Sequence, residues 1–306
     1  MSLKIIFMGT PEFAVPILKS LKESEHELLC VYSQPPKKRA RGQKILSSPI
    51  HEYAKKLELS VRCPINFDTD EEYDFIKEID PDIVIVVAYG KIIPKRFLSL
   101  TKFGFINIHA SLLPKWRGAA PIQRSIMNLD NQTGISIMKI VEKLDSGPVM
   151  HQDKIQINEK INTFDLSKIL SKIAASSIIN SLNKIERGDA KFKEQDHRQA
   201  TYAKKISKSE GKINWNQSAR TVLAKINGLN PNPGAWFEYK KDRFKVWKAE
   251  IVNKNSNAGK IIDDKLTIAC DEQSIKILEI QKEGKSRQSI DKFLLGNKIK
   301  KGEIIN

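Results

Sequence analysis

A chain of 306 residues has room for about two domains, and 40% hydrophobic against 29% charged side chains is the balance of a folded protein, not a disordered one. The 52 Lys+Arg against 36 Asp+Glu leave a formal net charge of +16, which fits a polyanionic partner and a merely solubilising lysine-rich surface equally well. Apolar runs such as 83–88 fall far short of the ~20 residues that span a bilayer, the run after Lys4 is too short for a signal-peptide core, and Cys30, Cys63 and Cys270 lie far apart, so disulfide scaffolds and zinc ribbons are excluded and a reducing cytoplasm is expected.

The first predicted strand covers 3–8 (LKIIFM) and is closed by Gly9-Thr10-Pro11, with Pro11 suited to a helix first turn. Phe13, Ala14, Ile17, Leu18 and Leu21 then recur at helical spacing. A second strand is read at 28–32, helices at 53–57 and 71–79, and a continuous β-branched strand at 83–88 that has the look of one buried on both faces. Further strands follow at 105–108, 133–140 and 149–157, and a long helix fills 163–187 until Gly188 stops it. This alternation predicts a parallel α/β sheet. Residues 190–208 are polar and aperiodic and read as a linker. The second part has one helix at 218–228, five short strands from 235 to 280 and a closing helix at 289–295, the texture of a small barrel or antiparallel sheet. The expected organisation is therefore a domain over 1–189, a linker over 190–208 and a smaller domain over 209–306.

Charge follows that division. Residues 207–306 hold 20 Lys+Arg and 12 Asp+Glu, half of the net positive charge on a third of the chain. A small basic barrel suits oligonucleotide binding, although a solvated basic surface has the same composition.

Dinucleotide, P-loop, zincin and hydrolase-elbow signatures are all absent from the sequence. The five histidines are dispersed, so no metal is indicated. One segment carries chemistry. Asn107 and His109 alternate at the end of a strand, so both side chains project to one side where a buried strand meets a loop. An amide and an imidazole there can polarise a carbonyl, hold an oxyanion and move a proton. Asp145, in the tight turn Leu144-Asp145-Ser146-Gly147-Pro148, can orient His109 or a water. On spacing alone, hydrogen-bonded structural roles are the commoner ones for all three.

These residues also carry a resemblance. Asn107, His109, the SLLPxxxG run from Ser111 to Gly118, and Asp145 in LDSG are similar to the signature of 10-formyltetrahydrofolate-dependent formyltransferases. HASLLPKWRGAAPIQRSI, FMGTPEFA, VVAYGKIIP and the stretch 209–236 resemble the branch that formylates initiator methionyl-tRNA, and the likeness covers nearly the whole chain. It implies a Rossmann-like, mostly parallel N-terminal domain that binds folate, and a smaller OB-like β-barrel that helps hold tRNA. It implies transfer of a formyl group from 10-formyltetrahydrofolate to the methionine amino group, with translation initiation as the setting, no permanently bound cofactor and no metal. Asn107 and His109 would polarise the formyl oxygen, and Asp145 would steer His109 and assist proton transfer. Folate would be met by Ser111, Leu112, Leu113 and Pro114, by Tyr89, Gly90, Ile92 and Ile93, and by the backbone of 141–144.

The loop 33–49 (SQPPKKRARGQKILSSP) is basic with no acid. In the resembled family a basic loop here wedges against the tRNA acceptor end. Arg41 aligns best with its key arginine, Arg39 can share or take the role because the local pattern departs from PxRxxGRG, and Lys38 and Lys44 add charge. Trp116 is expected to flank the acceptor end, and Trp215, Trp236 and Trp247 to lie in core. A monomer with no membrane contact is expected. Two other readings stay open, a formyltransferase acting on an amino-sugar nucleotide and a non-catalytic tRNA-binding protein.

Overall fold

The computed structural model describes residues 2–39, 44–297 and 299–305. In chain order the elements are β1 (Lys4–Gly9), α1 (Val15–Lys22), β2 (Glu27–Tyr32), β3 (Lys37–Arg39), β4 (Lys44–Leu46), α2 (Pro49–Lys56), β5 (Val61–Arg62), α3 (Asp70–Ile79), β6 (Ile83–Val87), β7 (Phe105–His109), β8 (Arg117–Gly118), α4 (Pro121–Met127), β9 (Gln132–Lys139), β10 (Val149–Gln156) and α5 (Thr163–Glu186). Then come β11 (Tyr202–Ala203), α6 (Ala219–Gly228), β12 (Ala235–Tyr239), β13 (Asp242–Val252), β14 (Thr267–Ala269), β15 (Ser274–Lys282), β16 (Gln288–Ser289) and α7 (Ile290–Gly296). No helix among the described residues is long and apolar enough to cross a membrane.

The chain divides into two compact units, and the division is not a single cut. The first takes 1–118, 134–155 and 167–202, and the second takes 119–133, 156–166 and 203–306. Gln195 is buried, and within the first unit the Arg117 amide donates to the Thr201 carbonyl at 2.8 Å.

In the first unit the sheet order is β10-β9-β7-β6-β1-β2-β5. Pairings from β5 through β2, β1 and β6 to β7 are parallel, and β9 runs antiparallel to β7. Ile5 to Met8 and Ile83 to Val87 are buried on both faces, which is why these strands read as unbroken apolar runs. α2 and α3 begin at Ser48 and Thr69, whose side chains accept from His51 and Glu72 amides. α5 lies against the start of the chain, where Ser171 and Ser20 hydroxyls donate to the Phe13 and Ala175 carbonyls at 2.6 and 2.8 Å. Gly134 has a steric reason, since a Cβ there would lie 1.8 Å from the Asp153 carbonyl oxygen. The basic segment forms a short hairpin, with Lys37 opposite Leu46 and Arg39 opposite Lys44.

In the second unit the sheet order is β12-β13-β15-β14, with β16 beside β15, and its pairings are antiparallel. Its core is aromatic. Phe244 stacks on Phe237 with centroids 5.5 Å apart and meets Phe293 edge-on at 5.7 Å, and Trp215 meets Phe237 edge-on at 5.9 Å. Trp215 is core, as expected. Trp236 and Trp247 are not. Both are half-buried on the sheet surface, capped by Arg243 at 3.9 Å and by Lys245 and Arg287 at 4.1 and 4.7 Å. Their positions alternate with buried Phe237 and Val246, and so fall on the outward pleat.

Candidate active site

β7 is the last of the parallel strands, and its carboxyl end carries Asn107 and His109 on one face. Asn107 lies opposite Val86 and Met138, and His109 opposite Ser136. The turn after β9 brings Asp145 to them. Asn107 Nδ2 donates to Asp145 Oδ1 at 3.4 Å, a long bond that leaves the second amide hydrogen free of Asp145. Asp145 Oδ2 accepts the Gly118 amide at 2.8 Å and faces His109 Nδ1 at 3.7 Å. His109 Nε2 is 2.8 Å from the Trp116 carbonyl oxygen. A carbonyl only accepts, so the proton sits on Nε2. His109 and Asp145 side chains are 7% and 12% exposed, so their mutual field is weakly screened. Asp145 holds a left-handed backbone (φ 46°), as does Trp116 (φ 62°), conformations that need support from their surroundings.

The loop 111–114 is built from buried hydrogen bonds. Ser111 is fully buried and its hydroxyl donates to the Lys115 carbonyl at 2.6 Å. Ser136 donates to the Ser111 carbonyl at 2.7 Å and accepts the Leu113 amide at 3.0 Å, while Gln152 donates to the Leu113 carbonyl at 2.9 Å. Leu113 is buried, Leu112 and Pro114 are half-buried, and the Leu113–Pro114 peptide is cis.

After β6 the chain turns through left-handed Ala88 and Gly90. Gly90 (φ 81°) has the Gln34 amide close above it, and Gln34 Nε2 donates to the Tyr89 and Gly90 carbonyls at 3.2 and 2.9 Å. The Tyr89 ring is turned into the core, edge-on to Phe67 at 6.0 Å, and burial pushes its hydroxyl well above the usual phenol range. Ile93 is core, whereas Ile92 is 86% exposed. Leu144 and Val141 are also exposed, on the loop after β9. An ion pair between Lys95 and Glu142 at 3.2 Å ties these two loops together. The structure thus brings Asn107, His109 and Asp145 together. Ile92 and the 141–144 loop expose apolar groups, and Tyr89, Ile93, Leu113 and Ser111 point their side chains into packed protein.

Four residues in this site escaped the sequence reading. Ser136 and Gln152 sit on strands, β9 and β10, that were read only as strands. Arg117 and Gln195 form a buried pair, with Arg117 Nε and Nη2 donating to Gln195 Oε1 at 3.1 and 2.7 Å. Arg117 lies inside the quoted motif, but Gln195 lies in a polar stretch with no periodic signal. Of the basic-loop residues, Arg41 lies outside the described residues. Lys38, Arg39 and Lys44 are placed by their backbones in β3 and β4, and their side chains are not among what is described.

An amide, an imidazole and a carboxylate placed together in this way can stabilise charge on a carbonyl oxygen and move a proton. The model of the formyl transferase family matches residues 3–182, and that of the formyl transferase C-terminal domain matches 205–298. The chain belongs to the formyl transferase family. It is 55% identical to the methionyl-tRNA formyltransferase of Pelagibacter ubique, across 100% of this chain and 99% of that one. It is 41% identical to the methionyl-tRNA formyltransferase of Caulobacter vibrioides, across 99% of this chain and 100% of that one. Among solved structures, the N-formyltransferase of Helicobacter canadensis in complex with folinic acid and dTDP-3-aminofucose shares the fold with a TM-score of 0.70 at 18% identity, covering 92% of this chain and 100% of that one. HypX of Aquifex aeolicus in complex with tetrahydrofolic acid shares it with a TM-score of 0.68 at 17% identity, covering 96% of this chain and 47% of that one.

Proposed function

We propose that this protein moves the formyl group of 10-formyltetrahydrofolate onto the methionine amino group of initiator methionyl-tRNA. The observation that carries the reading is the convergence of Asn107, His109 and Asp145 at the carboxyl end of β7, in a chain so similar from end to end to methionyl-tRNA formyltransferases.

The chemistry follows from the atoms available. An α-amino group titrates near ~7.7 in model compounds, and an ester neighbour lowers that, so the attacking amine is largely neutral at physiological pH. Attack on the formyl carbon places negative charge on the formyl oxygen. Asn107 meets it with its second amide hydrogen. His109 meets it by exchanging its bond to the Trp116 carbonyl for one to that oxygen. The proton the amine sheds passes, directly or through water, to His109 Nδ1 or Asp145, and while it rests on the imidazole the Asp145 carboxylate stabilises the positive charge. Collapse expels the folate nitrogen, which takes a proton back. Each oxyanion donor is worth ~2.7–4 kcal/mol in such sites.

For the folate, exposed Ile92, Val141 and Leu144 offer apolar contact to a flat heterocycle, and Ser111, Leu112, Leu113 and Pro114 form the rigid wall beside it. Residues 1–189 would hold the folate and the chemistry, and 209–306, with nearly half of the net charge on a third of the chain, would hold tRNA. Arg41, with Arg39, Lys38 and Lys44, would grip the acceptor end through phosphates, which makes binding salt-dependent.

The test is formyl transfer from labelled 10-formyltetrahydrofolate to initiator methionyl-tRNA, elongator methionyl-tRNA, free methionine and a dTDP-amino sugar. Label on the initiator species alone is expected. Label on the sugar, or on none of the four from folded protein that binds folate, would overturn the acceptor assignment.

A further inference from the structure

We propose that Gln195 is a positioning residue for the transfer reaction, acting on Asp145 through the backbone of its turn with Arg117 as its brace; this rests on the catalytic reading of Asp145 above. Gln195 Nε2 donates to the Asp145 carbonyl at 2.9 Å and to the Gly147 carbonyl at 2.7 Å. Its Oε1 faces the other way and accepts twice from Arg117. This network fixes the orientation of the carboxamide. Exchanging its O and N would press an oxygen against two carbonyl oxygens and an NH2 group against a guanidinium. Arg117 is itself held, since it is 1% exposed and Nη2 also meets His197 Nδ1 at 3.0 Å. Its amide is anchored on the Thr201 carbonyl at 2.8 Å.

The purpose of such a brace is visible in the turn. Asp145 sits at φ 46°, a conformation an aspartate seldom holds unaided. From there its carboxylate reaches Asn107, the Gly118 amide and His109 at once. Gln195 binds the carbonyl of the same residue and the carbonyl two residues on, so it clamps the two sides of the tight turn. With the clamp removed, the backbone of 145–147 relaxes and the carboxylate loses its aim. Misplacing a catalytic group by about 1 Å from a distance costs rate on the order of 10²-fold. Substrate contacts are untouched, so the loss falls on kcat.

Two variants separate this role from simple support. Gln195→Met keeps the length and removes every hydrogen bond. Gln195→Glu keeps an acceptor, now charged, against Arg117 and turns its other oxygen on the two carbonyls. Both are expected to fold, to lower kcat by roughly 10- to 100-fold and to leave KM for folate and for tRNA within about threefold of the parent. The same substitutions are then made in Asp145→Asn protein. If Gln195 acts through the carboxylate, little is left to lose, and kcat falls further by less than about threefold. Equal losses in both backgrounds, a rise in KM at intact kcat, or failure of both variants to fold would each overturn the inference. Asp145→Asn with parental turnover would instead sink the reading of Asp145, and crippled Asp145→Asn beside normal Gln195 variants would remove only the positioning role.

Discussion

Replacing Asp145 by Asn keeps the size of the side chain and removes its charge. The magnitude follows from the 3.7 Å between Asp145 Oδ2 and His109 Nδ1. Coulomb's law gives about 1 kcal/mol at that distance in bulk water and about 4 kcal/mol at an effective dielectric constant of 20. With both side chains nearly buried, the effect belongs between these bounds and nearer the second. At 1.36 kcal/mol per decade, kcat should fall by roughly 10- to 1,000-fold. The carboxamide cannot replace the geometry either. Whichever way it settles, its NH2 group confronts a donor, the Gly118 amide or Asn107 Nδ2. Stability should change by only about 1 kcal/mol, because one acceptor survives. Single-turnover formyl transfer with saturating donor reads the rate, and urea unfolding reads the stability. A folded Asp145→Asn protein with a rate within about threefold of the parent would refute the electrostatic argument.

Asn107→Ala and His109→Ala should each lower the transfer rate by at least about 100-fold with the fold intact, as for loss of one oxyanion donor; near-normal turnover by either in the same single-turnover assay would remove that residue from the mechanism. Arg62 grips Glu72 through Nε and Nη2 at 2.9 and 2.8 Å, and Tyr32 donates to the same carboxylate at 2.7 Å. Arg62→Met should therefore destabilise by about 3 kcal/mol in urea unfolding by stranding a buried carboxylate, while Arg62→Met with Glu72→Leu should recover much of the loss. Burial holds His26 and His51 below the usual imidazole range. The unfolded chain therefore binds more protons near pH 6, so their contribution is present above the ordinary imidazole value and is lost as pH falls below it. Tm should drop between pH 7.5 and 5.5, and drop less in His26→Gln than in the parent; an equal drop would dismiss His26 as a source.

The central strands of the first unit were legible because they are buried on both faces. Ile83–Val87 and Lys4–Gly9 announce themselves as apolar runs, and the 24-residue α5 by its period. α4 was missed because Pro121–Met127 is short and lies inside a segment read for its motif. The antiparallel course of β9 was not readable, since direction depends on connections that periodicity does not report. Asn107, His109 and Asp145 were found because a motif marks them. Gln195 and Arg117 were invisible because their worth lies in a contact across 78 positions of sequence. Trp236 and Trp247 were misplaced because size suggested core, whereas their pleat sets them outward beside cations.

The most direct measurement of the account compares single-turnover formylation of initiator methionyl-tRNA by the parent, the three single alanine variants and the triple variant Asn107→Ala, His109→Ala, Asp145→Ala. Residues that act as one unit lose their effect together. The triple variant should then be no slower than about threefold below the worst single variant, with folate affinity kept. A triple variant that retains a tenth or more of the parental rate would contradict the assignment of the chemistry to this cluster.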